Sequence, residues 1–218
     1  MYQVTASSEK GGYGAGMAGT VSVAHDAVLL AGGRASRMGG VDKTALVSGG
    51  LALSDHAVAA AGRAATVVLV GLRDGRSAPD GVVHAREDPP FGGPVAAIAA
   101  GLVAVADPAP WTLVLACDLV RPEAAVAQLL GAADDAGDDT DGLVAVDEGG
   151  HRQPLLALYR SDALRAAVRA LDDPDGAAVR RLTADLRIVE VPLAAGLCAD
   201  VDEPADAARV TDGSGLLD

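Results

Sequence analysis

Short apolar runs that alternate with longer alanine-rich segments are the feature that most constrains how this 218-residue chain folds. From His25 onward, each apolar run has the length of a β-strand and each alanine-rich segment has the length of a helix. The apolar runs are continuous rather than alternating, which indicates central strands that are covered on both faces. This order predicts an α/β fold with a mainly parallel sheet and with ligands at the carboxyl ends of its strands.

The predicted elements follow one another along most of the chain. The strands are Asp26–Ala31, Ala65–Gly71, Gly81–Ala85, Trp111–Ala116, Gly142–Val146 and Pro154–Tyr159. The helices are Leu53–Ala64, Gly93–Ala106, Pro122–Ala133 and Ser161–Leu171. Ser54 and Ser161 are predicted N-caps, and Pro122 is a predicted first-turn proline.

The amino-terminal residues differ in composition from the rest. Residues 1–22 are rich in Gly, Ser and Ala without apolar periodicity, so we predict a disordered tail there and a single domain over 23–218. The chain shows neither a signal-peptide start nor an apolar run long enough to cross a bilayer. Cys117 and Cys198 lack the spacing of a disulfide framework or zinc site. We therefore expect a cytoplasmic protein with reduced thiols.

The formal net charge of −13 argues against two classes of partner. Nucleic acids and membrane surfaces both require a basic face, so we expect neither to bind. A small anionic ligand is compatible with an acidic chain if cations are concentrated locally. Arg34, Arg37 and Lys43 provide such a concentration beside a single acid, Asp42.

The cations lie in the segment LLAGGRASRMGGVDKT, which leaves the first predicted strand at its carboxyl end. Gly32 and Gly33 allow backbone N–H groups to approach phosphate oxygens, and Arg37 and Lys43 add charge. The segment is not a Walker A loop, because Asp42 precedes the lysine where glycine is required. The alternative interpretation is an exposed glycine-rich turn with solvated arginines.

Two further segments place acidic residues after strands. Asp118 follows WTLVLAC, where a carboxylate is suited to hold Mg²⁺ together with substrate phosphates, or alternatively to cap a turn. Asp88 follows another strand, and Gly92-Gly93-Pro94 then opens a helix whose amino end suits an anion. A G-x-G-x-x-G match at Gly14 precedes its strand instead of following it, which disfavours a dinucleotide-dependent oxidoreductase.

These segments together resemble a known family. LLAGGRASRMGGVDK, EDPPFGGPVAAI, LACDLVRP and RQPLLALY occur in the order found in molybdenum cofactor guanylyltransferases, members of the nucleotidyltransferase superfamily. The resemblance runs from about Asp26 to Arg209. It implies a three-layer Rossmann-like fold and a Mg²⁺-dependent enzyme that transfers GMP from GTP to molybdopterin, releasing pyrophosphate.

The resemblance also implies roles for individual residues. Asp118 would ligate Mg²⁺, Lys43 would contact the nucleotide phosphates, and Arg37 would help to neutralise the triphosphate. The other implied nucleotide contacts are Leu30, Ala31, Gly32, Gly33, Gly71 and Asp88. Gly71 stands where family members often carry a polar residue.

The carboxyl-terminal segment departs from the family pattern. It reads ADVDEPAD, with Asp200 and Asp202 in place of asparagines. Either one is a candidate second Mg²⁺ ligand or a hydrogen-bond partner of the cofactor, and the alternative is a strand-to-helix turn in which Asp202 caps the helix after Pro204. The resemblance also suggests that His151-Arg152-Gln153 help to receive the pterin, against an ordinary polar hairpin.

Several functional alternatives remain open from the sequence. One is a cytidylyl- or sugar-phosphate nucleotidyltransferase of the same fold, and another is a non-catalytic nucleotide-binding partner in molybdoenzyme maturation. The expected partners are GTP and molybdopterin, with molybdoenzyme maturation proteins as further possible partners. The expected assembly is a monomer or a weak oligomer.

Overall fold

A computed structural model describes residues 23–33, 42–201 and 206 of the chain. The predicted tail over 1–22 and the predicted roles of Arg37 and Asp202 lie outside these residues, and the single-domain assignment stays a prediction. No helix within the described ranges is long and apolar enough to span a membrane.

Seven strands form one sheet in the order β5-β4-β1-β6-β8-β7-β9. The strands are β1 (His25–Leu30), β4 (Val67–Val70), β5 (Val83–Ala85), β6 (Trp111–Ala116), β7 (Gly142–Val146), β8 (Arg152–Arg160) and β9 (Ile188–Pro192). Strand β8 is antiparallel to both of its neighbours, whereas the other four pairings are parallel. The predicted mainly parallel α/β sheet is confirmed.

The remaining elements connect these strands. A 3-10 helix, Lys43–Ala45, precedes a small hairpin of β2 (Val47–Ser48) and β3 (Leu51–Ala52). The α-helices are α1 (Leu53–Ala61), α2 (Pro94–Ala104), α3 (Pro122–Ala132), α4 (Ser161–Arg169) and α5 (Val179–Leu182). The hairpin, α5 and β9 were not predicted.

The sheet is the middle of three layers, because alternate residues of its central strands enter different hydrophobic cores. Ala27 and Leu29 of β1 pack into a core shared with α1 and α3. Val28 and Leu30 pack into a second core shared with α2 and α4. Every residue of β1 is buried, which explains why the run carries no polar alternation.

The two predicted N-caps are wrong. Strand β3 runs directly into α1 and β8 runs directly into α4, so Ala52 and Arg160 occupy the N-cap positions without a side-chain cap. Ser54 lies inside α1, where its hydroxyl accepts from Arg76, and the Ser161 hydroxyl bonds that of Thr112. Pro122 is in the first turn of α3, as predicted.

Candidate active site

The strand order reverses between β1 and β6. After β1 the chain builds β4 and β5 on one side of it, and then returns through α2 to place β6 on the other side. In open α/β sheets the crevice outside the carboxyl ends of strands at such a reversal is where ligands bind. The ends of β1 and β6 therefore mark the expected site.

A cavity of about 340 Å³ opens at this point. Its described lining comes from the ends of β1, β5 and β6, from the start of α2 and from β8. The lining residues are Leu30, Gly32, Gly33, Glu87, Phe91, Gly93, Pro94, Ala97, Ala116, Asp118 and Leu155. The loop at Gly32 and Gly33 and the acid after β6, Asp118, were both predicted from the sequence to belong to the site. In the structure they meet at this one cavity.

Asp118 lines this cavity and forms an ion pair with Lys43, which is not itself among the described lining residues. The Lys43 Nζ lies 3.8 Å from Oδ2 of Asp118, and the side chains are 17% and 27% exposed, respectively. The partial exposure leaves both groups within reach of a bound ligand. In such a pair the ammonium can attract phosphate and the carboxylate can attract a divalent cation.

The position of Lys43 is fixed by its neighbours in the 3-10 helix. Asp42 caps that helix, because its Oδ1 accepts from the Thr44 amide at 3.1 Å and from the Thr44 hydroxyl at 2.7 Å. Arg76 then joins this turn to α1 by donating to Asp42, to Thr44 and to Ser54. The acid that rules out a Walker A loop is therefore a structural cap, and Arg76 is a positioning residue that the sequence did not reveal.

The position of Asp118 is fixed by backbone pairing on both sides. The preceding residue, Cys117, donates its amide to the carbonyl of Leu30 at 3.0 Å, which continues the β1–β6 ladder. The Asp118 carbonyl accepts from the Val201 amide at 3.1 Å. Leu119 and Asp200 form an antiparallel bridge. The backbone of Asp200, a predicted second metal ligand, is thereby held beside the Asp118 loop.

Gly32 and Gly71 meet where β1 and β4 end. A Cβ on Gly71 would lie 2.8 Å from the Gly32 Cα, and Gly71 has a φ of +81°. Both facts exclude a side chain there, which explains the glycine at this position. Gly71 does not line the cavity itself, so its role as a nucleotide contact stays a prediction.

The amino end of α2 lies at the cavity. Gly93 is the N-cap with a φ of +89°, Pro94 follows it, and both residues line the cavity. The unpaired amides and the dipole at the start of an eleven-residue helix favour an anion. The predicted orientation of this helix toward the ligand crevice fits this geometry.

Of two adjacent acids after β5, Glu87 lines the cavity. The other, Asp88, is exposed and does not line it. Glu87 is only 8% exposed, and its Oε1 accepts from the Phe91 amide at 3.0 Å. Its Oε2 is buried without a hydrogen-bond partner. Period-two alternation after Ala85 favours Glu87 over Asp88 as the residue that shares the face of Ala85.

The other predicted residues fall in different surroundings. Ala31 is buried in the core that also contains α1 and α3. The Asp147 carboxylate accepts from the amide of His151 and the side chain of Gln153, and Glu190 accepts from Arg152. None of these three hairpin residues is among the described residues that line the cavity. Their contacts fit the polar hairpin that the sequence left open, and a pterin contact stays a prediction.

The metal-ligating side chains among the described residues are compatible with Mg²⁺. Residues 23–33 and 42–201 contain no cluster of three or more His, Cys, Asp or Glu side chains able to hold a metal. Mg²⁺ is usually held by one or two carboxylates together with substrate phosphates, so Asp118 beside an anion-binding cavity is compatible with it. Both cysteines are free, and burial raises the pKa of the Cys117 thiol, so this residue acts as a small hydrophobe.

A family model for the MobA-like NTP transferase domain matches residues 27–213, which is most of the chain. The chain belongs to this family. It is therefore a nucleotidyltransferase, and the resemblance stated from its motifs is confirmed.

Relatives of this MobA-like protein carry consistent names. A protein of Bradyrhizobium sp. (strain ORS 278) named molybdenum cofactor guanylyltransferase is 35% identical over 182 residues, which cover 80% of this chain and 84% of the relative. One of Cupriavidus necator with the same name is 32% identical over 170 residues, which cover 75% and 84%.

A solved structure supports the fold. Molybdopterin-guanine dinucleotide biosynthesis protein A from Archaeoglobus fulgidus has a TM-score of 0.64 at 20% identity, and the match covers 88% of this chain and all of that one. At this identity the likeness concerns the fold alone, which confirms the Rossmann-like arrangement predicted from the sequence.

Proposed function

We propose that this nucleotidyltransferase transfers GMP from GTP to the terminal phosphate of molybdopterin, in the molybdenum cofactor, and releases pyrophosphate in a Mg²⁺-dependent reaction. The observation that carries the proposal is the Lys43–Asp118 pair, 3.8 Å apart at the cavity between β1 and β6. The names of relatives that are at least 32% identical support guanylyl transfer to the molybdenum cofactor.

The chemistry requires cations and positioning more than proton transfer. The attacking group is a phosphate oxygen that is already ionised at neutral pH, so no general base is needed. The barrier lies in bringing two polyanions into line, and groups that neutralise charge without rearranging lower it. Mg²⁺, when bound at Asp118, would polarise the transferred phosphoryl group and neutralise its charge.

The chain's own residues divide this work between them. Lys43 neutralises the triphosphate, and Asp118 holds the metal. The backbone at Gly32 and Gly33 and the amino end of α2 border the cavity where phosphate oxygens would lie. Arg37 adds a further positive charge from the glycine loop.

The base would occupy the end of the cavity near Glu87. A carboxylate repels phosphates but accepts hydrogen bonds, and guanine offers the N1–H and N2–H₂ donors on one edge. Cytosine offers a single amino donor beside an acceptor, so a carboxylate favours guanine over cytosine. Phe91 lines the same cavity with half of its surface exposed, and its ring provides an apolar face against which a base can stack.

The proposal is tested by measuring pyrophosphate release with GTP, CTP and ATP in the presence of molybdopterin. We expect turnover with GTP, no turnover without acceptor, and loss of turnover when EDTA removes the divalent ion. Exclusive use of CTP would overturn the guanylyl assignment in favour of a cytidylyltransferase. GTP binding without pyrophosphate release for any acceptor, including sugar phosphates, would instead indicate a non-catalytic maturation partner.

A further inference from the structure

A second cavity, of about 420 Å³, lies at the opposite end of the sheet. Arg160, the last residue of β8, lines it together with Pro110, which precedes β6. Because β6 has six residues and each extended residue advances about 3.3 Å, this cavity is roughly 15–20 Å from the end of β6 that leads to Asp118. It is therefore separate from the nucleotide cavity.

Three arginines line this second cavity, which we call the arginine cavity. They are Arg160, Arg165 and Arg169. Throughout the part of the chain that the structure describes, none of the three forms an ion pair with a carboxylate within 4.0 Å. In a chain with a net charge of −13, such a concentration of unpaired positive charge is unexpected.

Two of the arginines are held in place by other contacts. The Arg160 guanidinium stacks 4.1 Å from the centre of the Trp111 ring, and its Nε donates to the Thr140 carbonyl at 3.4 Å. Arg165 donates from one terminal nitrogen to the Val105 carbonyl at 3.2 Å. Its Nε is buried and has no hydrogen-bond partner.

Nearby carboxylates do not neutralise the cluster. Asp162 also lines the cavity, but its Oδ1 accepts from the Ala163 amide at 2.7 Å. Asp141 faces Arg160 but is bound through both oxygens by Arg187, whose hydrogen bonds lower the pKa of Asp141. The local balance is thus three positive charges against the single acid of the lining.

We propose that the arginine cavity binds a small oxyanion that carries two or more negative charges, a phosphate or a polycarboxylate. Guanidinium groups present planar pairs of N–H donors that match the oxygens of both. The amino end of the nine-residue helix α4, at Ser161 and Asp162, borders the same cavity and adds a favourable dipole. The acidic charge of the whole chain opposes a long polyanion, which restricts the ligand to a small molecule.

The chain contains a reporter for this site. Trp111 is its only tryptophan, and Arg160 stacks on it at the cavity wall. The full-length protein is titrated with phosphate, pyrophosphate and citrate at constant ionic strength set by chloride, while tryptophan emission and heat of binding are recorded. We expect saturable binding of at least one anion, and the comparison of pyrophosphate with citrate distinguishes phosphate from carboxylate chemistry.

Variants assign the binding to this cavity. We expect R165Q/R169Q to weaken anion binding at least tenfold. We expect Asp162→Asn to strengthen anion binding, because a repulsive charge is removed. Arg86→Gln, an arginine paired with Asp74 elsewhere, is the matched control and leaves the affinity unchanged. Arg169 is exposed, so Arg169→Gln alone tests the site if the double variant does not fold.

Several outcomes would overturn this proposal. One is the absence of a saturable heat or emission change. Another is equal anion affinity in R165Q/R169Q and the wild type, and a third is an anion affinity that Asp162→Asn leaves unchanged. Anion binding that disappears in Lys43→Ala would assign the anion to the nucleotide cavity. The GTP reaction plays no part in these measurements, and Lys43→Ala separates anion binding here from binding of pyrophosphate, a product of the proposed reaction, at the nucleotide cavity.

Discussion

At the scale of single residues, the residue types of the proposed site were easier to predict than the orientation of the side chains. The glycines, the lysine and the aspartate of the proposed site are recognisable because phosphate and Mg²⁺ chemistry restricts which residues serve. Their orientation depends on backbone geometry that composition does not reveal. Glu87 and Asp88 are adjacent acids, yet only Glu87 lines the nucleotide cavity.

Asp118→Asn tests the proposed metal ligand. We expect turnover to fall by about two to three orders of magnitude, since the variant loses a charge that would hold Mg²⁺. The fold should be retained, because Asp118 is 27% exposed and no packed apolar group is removed. Pyrophosphate release and thermal unfolding are measured together. Wild-type turnover in the variant would argue strongly against this site.

Glu87→Gln compared with Asp88→Asn tests which acid selects the base. We expect Glu87→Gln to lower the preference for GTP over CTP about tenfold, because an amide presents one acceptor where guanine requires two. Asp88→Asn should change this preference less, since Asp88 is exposed outside the cavity lining. The measurement is the ratio of kcat/KM for the two nucleotides. The reverse ranking would restore the residue predicted from the sequence.

At the scale of elements, buried strands and long helices were predicted and short edge elements were not. Strand β1 is apolar along its whole length because both faces are covered, and that pattern is readable. Strand β9 is an edge strand with exposed Val189 and a terminal Pro192, so its sequence carries little apolar signal. The two incorrect N-caps arose where a strand enters a helix without a loop.

Gly101 and Gly131 form a matched pair within helices of the two faces. A Cβ on Gly101 of α2 would overlap the Val28 side chain of β1, whereas nothing lies within 4 Å of a Cβ on Gly131 of α3. We expect Gly101→Ala to lower the free energy of unfolding by about 1–3 kcal/mol through overpacking. Gly131→Ala should raise it by about 0.5–1 kcal/mol through helix propensity. Denaturant unfolding measures both, and equal effects would show that α2 does not pack this closely on the sheet.

At the scale of the whole molecule, one histidine links the outer helices to the hairpin. His56 of α1 contacts Glu123 of α3 through Nδ1 at 2.8 Å and the Ser48 carbonyl through Nε2 at 2.9 Å. Both partners are acceptors, so only the doubly protonated ring donates to both. Burial lowers the pKa of His56, but the Ser48 carbonyl and the Glu123 carboxylate outweigh it, and the pKa is raised above 6.5.

The raised pKa predicts a pH-dependent stability. A group whose folded pKa exceeds its unfolded value stabilises fully below the unfolded pKa and loses that contribution as pH rises through the folded pKa. We therefore expect His56→Gln to reduce Tm more at about pH 5.5 than at about pH 8.5. Thermal unfolding at the two pH values measures the difference. Glu123→Gln should reproduce part of it, and a pH-independent effect of His56→Gln would contradict the assignment.

The sequence by itself determined the α/β class, the family and the chemical types at the site, because covered strands and phosphate-binding loops restrict the residues that they accept. Only the tertiary structure decided which strands are neighbours, and hence that Lys43 and Asp118 meet 3.8 Å apart at the strand-order reversal. It also decided that Gly71 must remain glycine and that Arg76 fixes the turn at Lys43. Distances across a sheet depend on packing between distant segments, and no local pattern of residues encodes them.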